Sequence, residues 1–409
     1  MEKKKIIIVG GGFGGIQTAR KLHTLLGNTV SITLVSDKAY FEYYPALYRI
    51  VTDASPIEAC VPLENMLCNT TVDIVVDKIV SIDTDKKEII GISGIAYTAD
   101  FLVLALGSQT AYFDLPGLSE LSFGFKSVGE AVRLKKHIHD LFIAHEHPSV
   151  TECVSHFHIV IVGGGASGVE IAGDITYYFA QLAESHNVQK SLITIDLIES
   201  SPRLLPSAEE RVSRKIEARL RKLGVNIYLN RSLVKEEVET VYMKDMSFKS
   251  KTVIWTAGTR VNGLYEQTNG FSFNKKGKVL VNEYLEARNF KRVYILGDAA
   301  DTPYSGLAQT AIYDGEFIAN DIKSVFREKS RISYKSKKPS FAIPVGDNWG
   351  VLNIGVFNLY GILAYWARHC IDFFYFARIV SLKFLFTMFI KGRKYRDLAP
   401  EGCGCKTSK

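Results

Sequence analysis

The chain has 409 residues, 47% of them apolar, and 50 Lys and Arg against 43 Asp and Glu give a formal charge of +7. This length predicts two to three domains with a large core, and 23% charged residues with ordinary Gly and Pro counts exclude a disordered or fibrous chain. Six Cys are too few for a disulfide scaffold and point to the reduced thiols of a cytosolic compartment. The surplus charge is localised: residues 368–409 hold nine basic and three acidic residues, and 321–340 hold seven and two. The rest is slightly acidic, which excludes a nucleic-acid binder with a broad basic face.

Met1-Glu-Lys-Lys-Lys passes directly into an apolar run at 6–9, without the features of a secretory signal, so export is not expected. Short β-branched runs follow at 31–35, 72–76, 79–82 and 101–106, separated by turns and helical segments. Such alternation predicts parallel α/β architecture. The first strand leads into Gly10, Gly12 and Gly15, and a helix is predicted over about 16–26. Two glycines allow the tight turn and close backbone approach to a pyrophosphate, and the third lets helix and strand pack closely. The ribose-binding position at the end of the next strand reads Ser36-Asp37, the acid one place later than usual. Asp37 is read as either a ribose contact or a surface turn.

Six of the nine His lie between His137 and His158, with Cys153 among them. Imidazole and thiolate suit Zn²⁺, but the spacings repeat no finger pattern, and no metal site is expected. At 159–162 a second apolar strand opens the same unit, 153 positions after the first: Gly163, Gly165, Gly168, then Glu170. A strand over 192–198 ends at Glu199, whose carboxylate suits the ribose hydroxyls of NAD and would repel a 2′-phosphate. Arg203 weakens that exclusion of NADPH without reversing it, and a polar loop over 184–190 accounts for the long gap between fingerprint and acid. A third signal is the strand 292–296 running into Gly297-Asp298, joined by Thr256-Ala-Gly258 and Ala105-Leu-Gly107-Ser. By itself Asp298 is equally a helix N-cap.

Together these residues resemble the two-dinucleotide-binding-domain flavoproteins, and most closely the type II NADH:quinone oxidoreductases, from about residue 6 to 389. The resemblance implies two Rossmann-like domains: an FAD domain over 1–120 and 280–345, an NADH domain over 121–279, and a C-terminal membrane region over 346–409. It implies FAD on Gly10, Gly12, Gly15, Ser36, Asp37, Gly107 and Asp298, and NADH on Gly163, Gly165, Gly168, Glu199 and Gly258. Tyr40-Phe-Glu-Tyr-Tyr-Pro45-Ala-Leu-Tyr48 resembles the family's aromatic-Pro loop beside the flavin, and 200–206 its stretch after the second acid. Glu170 matches a family glutamate between the nicotinamide and quinone sides; the alternative is a surface carboxylate favoured by the helix dipole. A quinone site would involve Ala308, Gln309 and Tyr313, where Tyr313 and Asp314 replace further glutamines of the family. The implied activity passes hydride from NADH to FAD and two electrons to a membrane quinone, without proton pumping.

Related dithiol flavin reductases need CxxxxC or CxxC pairs, and neither occurs; Cys60 and Cys68 lie eight apart. The alternatives are a sulfide:quinone oxidoreductase using Cys153 and Cys370, or a slow flavin- and NADH-binding redox sensor. Over 357–389 the chain holds eleven of its 46 aromatics, interrupted by Arg368, Asp372, Arg378 and Lys383. Residues 348–367 lack formal charge but contain three Asn and three Gly. They read as a strand followed by amphipathic interfacial helices, charges at the rim and aromatics at headgroup depth, rather than a spanning helix. The basic finish 391–396 would favour an anionic lipid surface. A buried helix or a homodimer interface is the alternative, and the family implies peripheral attachment to the cytoplasmic face together with dimerisation.

Overall fold

A computed structural model describes residues 3–145 and 157–394. Five parallel strands form the first sheet in the order Val293–Ile295, Phe101–Leu104, Lys4–Val9, Val30–Ser36, Val72–Val76. Their uninterrupted aliphatic runs, with Ile8, Leu34, Val103 and Leu104 fully buried, are what a parallel sheet covered on both faces requires. The second sheet, also parallel, runs Phe123–Gly124, Thr252–Trp255, His158–Val162, Thr194–Glu199, Val225–Leu229.

The two sheets match position for position. In each, the last strand named is followed in the chain by a small antiparallel sheet: Ile79–Asp83, Glu88–Gly91 and Ala96–Thr98 in the first unit, Leu233–Glu237, Thr240–Met243 and Ser247–Lys249 in the second. The repeat seen in the glycines is therefore a repeat of a whole unit. Only the opposite edge differs: Val293–Ile295 closes the first sheet although it lies after the second in sequence. The two chain crossings between units, Ser108–Thr110 and Thr259–Val261, pair antiparallel. The predicted strands are present with their ends shifted by a residue or two, and the first helix starts earlier than expected, at Phe13.

After the second unit, Phe341–Pro344, Gly350–Ile354 and Phe357–Gly361 make an antiparallel sheet, followed by helices Ile362–Ala377 and Leu382–Lys394. The first of these helices corrects the expectation that its charges lie at the rim. Ala364, Arg368, Asp372 and Phe376, spaced one turn apart, form its buried stripe. Leu363, Trp366 and Phe374 face outward, at 66%, 51% and 60% exposure. Arg378 and Lys383 are exposed. Charge points inward because an ion network waits there, and the apolar face is left outside. Among the described residues, no helix is long and apolar enough to cross a membrane.

Candidate functional site

Both Gly-rich turns are built alike. The Gly10 N–H donates to Val35 O at 2.8 Å, and the Gly163 N–H to Ile198 O at 2.8 Å, so each turn hangs on the end of the neighbouring strand. Gly10 has φ +115°, and a Cβ there would lie 2.3 Å from Ala105 O. At the third fingerprint position a Cβ on Gly15 would meet Gly10 O at 2.0 Å, and one on Gly168 would meet Gly163 O at 1.8 Å. The middle glycines, Gly12 and Gly165, face open space. The helices that follow, Phe13–Leu26 and Ala166–Ser185, have no side-chain cap at their N-termini. Unsatisfied N–H groups and the positive helix end together make an anion site. Two such ends, each beside a glycine with nothing above it, fit the pyrophosphates of FAD and of NADH.

Glu199 ends its strand with both oxygens anchored: Gly164 N–H donates to Oε2 at 2.5 Å and Ser201 N–H to Oε1 at 2.7 Å. The turn and the Glu199 carboxylate are thus tied together. The long gap before Glu199 comes mostly from the helix, which has 20 residues against 14 in the first unit. Arg203, a candidate 2′-phosphate partner, is occupied. Its guanidinium donates to Ala208 O at 2.7 Å, Ser213 Oγ at 2.8 Å and Pro206 O at 2.5 Å, bracing the loop after Glu199. In the first unit Ser36, not Asp37, occupies the place equivalent to Glu199; Ser36 is buried, and Asp37 is exposed just beyond it.

Gly107 and Gly258 flank the paired crossings, both with positive φ, +67° and +92°. Asp298 follows Gly297 in the short turn after the closing strand of the first sheet. Its carboxylate accepts from Ser108, whose Oγ also accepts from Lys126 Nζ at 2.5 Å. Lys126 Nζ lies 3.5 Å from Asp298, and the Lys126 N–H donates to Glu130 Oε2 at 2.7 Å while Ser127 Oγ accepts from the Glu130 N–H at 3.1 Å at the start of helix Val128–His145. Sequence reading missed this lysine, since nothing in its own neighbourhood marks it.

Glu170 lies on the helix of the second turn and is half-buried, not on an open surface. Burial pushes its carboxyl up to about 8 against the pull of Arg368, with Asp174 and Asp372 adding to the rise and Arg49 opposing it. One turn further, Asp174 is pushed up to about 7, again by burial first, with Arg49 opposing and Asp347 adding. Asp372 accepts from Tyr43, Arg49 and Arg368. Arg49 also faces Glu58 at 3.6 Å. Asp174, Arg49 and Asp372 escaped the sequence reading; only the i,i+4 spacing of Glu170 with Asp174 and of Arg368 with Asp372 hinted at shared helix faces. Phe41, Tyr43 and Tyr48 of the aromatic-Pro loop are buried, while Tyr44 remains 42% exposed. Tyr43 stacks on Tyr375 at 5.8 Å.

Helix Ala308–Phe326 starts at Ala308 without a side-chain cap. Gln309 is exposed and its Oε1 accepts from Ser340 N–H at 2.8 Å. Tyr313, one turn on, lies 5.8 Å from the Tyr334 ring, with Lys337 Nζ 4.3 Å from its own ring centre. Asp314 is fully buried, accepting from Gly297 N–H at 3.1 Å and from the same Tyr334 at 2.6 Å.

In the His-rich stretch, His137 pairs with Thr252, His139 with Tyr178, and His158 with Asp196. Among the described residues no group of three or more His, Cys, Asp or Glu is gathered as for a metal ion. His147, Cys153 and His156 lie outside the described residues, as do Cys403 and Cys405. Cys370 is exposed on the C-terminal helix.

The type II NADH:quinone oxidoreductase of Staphylococcus aureus (strain NCTC 8325 / PS 47) is 26% identical over 365 residues, covering 86% of this chain and 89% of its own. The structure of NDH2 from Plasmodium falciparum in complex with NADH superposes with a TM-score of 0.85 at 18% identity, over 97% of this chain and 99% of that one. The sulfide:quinone oxidoreductase from Aquifex aeolicus shares the fold with a TM-score of 0.79 at 17% identity, over 97% and 96% of the two chains. The duplicated glycine turns fall inside residues 4–315, which match the pyridine nucleotide-disulphide oxidoreductase family, and the chain belongs to that family.

Proposed function

We propose that this protein is an FAD-dependent NADH:quinone oxidoreductase of the type II class. The observation that carries the reading is the pair of uncapped helix N-termini on two matching sheets, the second of them locked to Glu199. The S. aureus relative bears the same activity in its name and is covered over 89% of its length. FAD, when bound, accepts hydride from the nicotinamide and returns two electrons to the acceptor. The first turn, with Gly10, Gly12, Gly15, Ser36 and Asp37, holds its pyrophosphate and adenosine side, and Gly107 and Asp298 its ribityl side. Gly163, Gly165, Gly168, Glu199 and Gly258 orient NADH, and Ala308, Gln309 and Tyr313 line the quinone side. On this reading the FAD domain spans 1–120 and 280–345, the NADH domain 121–279, and residues 346–409 form the membrane platform.

The platform's outward face supports attachment to lipid. Ile354, Val356 and Phe357 at the hairpin tip are 56%, 82% and 78% exposed, next to Trp366 and Phe374 of the helix. Aromatic and aliphatic groups suited to headgroup depth, with Arg378 and Lys383 exposed beside them, support peripheral attachment, on this reading at the cytoplasmic face. A homodimer would cover part of the same face. Deleting the platform would not test this, because its Arg368–Asp372 stripe belongs to the core.

The test is anaerobic titration of the purified yellow protein with NADH and then a soluble quinone, following flavin absorbance. Bleaching by NADH and recovery with quinone is expected; no bleaching, or recovery only with other acceptors, overturns the reading. Bleaching by sulfide instead of NADH would favour a sulfide:quinone oxidoreductase.

A further inference from the structure

On the reading above, NADH + H⁺ + quinone gives NAD⁺ + quinol, so each turnover takes one proton from water to an acceptor beside a protein-walled site. Glu170 faces Arg368 and Asp372. Asp174 stands one turn further along the same helix face. The helix backbone lies flush against the loop that starts at Val345: a Cβ on Gly173 would lie 2.4 Å from Gly346 N. That contact brings the exposed Asp347 beside Asp174. From the other side come Tyr48 and Arg49 of the short helix Leu47–Val51. Arg219 fixes the loop by donating to Val345 O at 3.2 Å and Asp347 O at 3.0 Å.

The charges in this cluster are already balanced without the two carboxyls. Arg49 and Arg368 are met by Asp372 and Glu58, two cations against two anions. An ionised Glu170 or Asp174 would add negative charge to a half-buried site, so burial raises both carboxyls toward the protonated form, at Asp174 against a hydrogen bond from the Gly346 N–H. We propose that Asp174 is a second proton-carrying residue of the quinone half-reaction, passing protons from solvent at Asp347 to Glu170. Glu170 gives its proton to the quinone oxygen, Asp174 reprotonates Glu170, and water refills Asp174. One proton enters for each one delivered, and no electrons pass through the relay.

The test uses full-length FAD-loaded protein carrying Asp174→Asn, Asp174→Glu or Glu170→Gln. Each is reduced anaerobically with NADH and then mixed with menadione or with ferricyanide, which takes electrons without protons. In D174N, bleaching by NADH and reoxidation by ferricyanide should stay within about twofold of wild type, while reoxidation by menadione slows at least about tenfold. The wild-type menadione rate should fall as pH rises above about 7, where Asp174 loses its proton, and D174N should lack that step. D174E should restore most of the rate. A D174N protein with wild-type menadione rate and pH profile overturns the relay, as does equal slowing with both acceptors, which would mark a positioning role. A wild-type protein reoxidised by ferricyanide but not by menadione overturns the quinone reading itself, and the relay with it.

Discussion

The Asp372 carboxylate accepts a hydrogen bond from the Tyr43 hydroxyl, joining groups 329 positions apart in the chain. Through Arg49 and Arg368 the same carboxylate ties the aromatic-Pro loop to the C-terminal helix. Removing it leaves two buried guanidinium groups short of a counter-charge. Asp372→Ala should therefore cost about 3–5 kcal/mol of stability. A fall in Tm of several degrees, read by flavin release on heating, is the expected result; an unchanged Tm would show that the network contributes little.

The outward face of the same helix predicts the opposite behaviour. Trp366 and Phe374 are more than half exposed, so replacing both with Gln removes little packing. Tm should hold, while binding to anionic liposomes in a flotation assay drops severalfold. Binding equal to wild type would exclude this face as the lipid contact.

Glu199 is held by two backbone N–H groups, so its carboxylate is fixed without rotamer freedom at the position proposed for the NADH ribose. Glu199→Ala loses charge-assisted hydrogen bonds of roughly 1.5–3 kcal/mol, raising KM for NADH by about 10- to 100-fold with a smaller change in kcat. Arg203→Ala should not alter the preference for NADH over NADPH, because its donors serve the loop rather than the ribose. Steady-state kinetics with both nucleotides check the pair.

Ala at Gly168 would place a methyl 1.8 Å from Gly163 O, so strand and helix must part. Gly168→Ala should abolish bleaching by NADH while FAD stays bound at the intact first turn. Gly15→Ala, with the matching clash at 2.0 Å, should instead yield protein without flavin. The ratio of flavin to protein absorbance distinguishes the two variants.

Glu236 carries a pH dependence of stability. It is buried, its Oε2 has no hydrogen-bond partner, and burial pushes its carboxyl up to about 8. The folded state thus holds a proton that the unfolded chain releases near 4.5, the group's ordinary value. Between those values the native state binds more protons, so stability falls as pH rises from about 4.5 to about 8. Glu236→Gln should match wild type near pH 4 and exceed its Tm at pH 8. A constant difference in Tm across that range would exclude the ionisation as its cause.

Much of the scaffold was legible because its signals are local. A strand, a tight turn and a helix each follow from residues within about ten positions, and Gly15 or Gly168 is dictated by a carbonyl five residues earlier. The second acid, Glu199, stood out because it ends a strand whose β-branched run marks it. What stayed hidden depends on distant partners. Asp174 has its raised carboxyl in part because Val345–Asp347 packs along its helix, 171 or more positions downstream.

The C-terminal helix shows the same division most clearly. Its sequence determined an amphipathic helix, since Arg368 and Asp372 share one stripe while Leu363, Trp366 and Phe374 fall off it. Which stripe faces inward was decided by the tertiary structure alone. Burying Arg368 and Asp372 is favourable only where Tyr43, Arg49 and Pro45 O are already in place to bond them, and those groups belong to a loop more than 300 residues earlier.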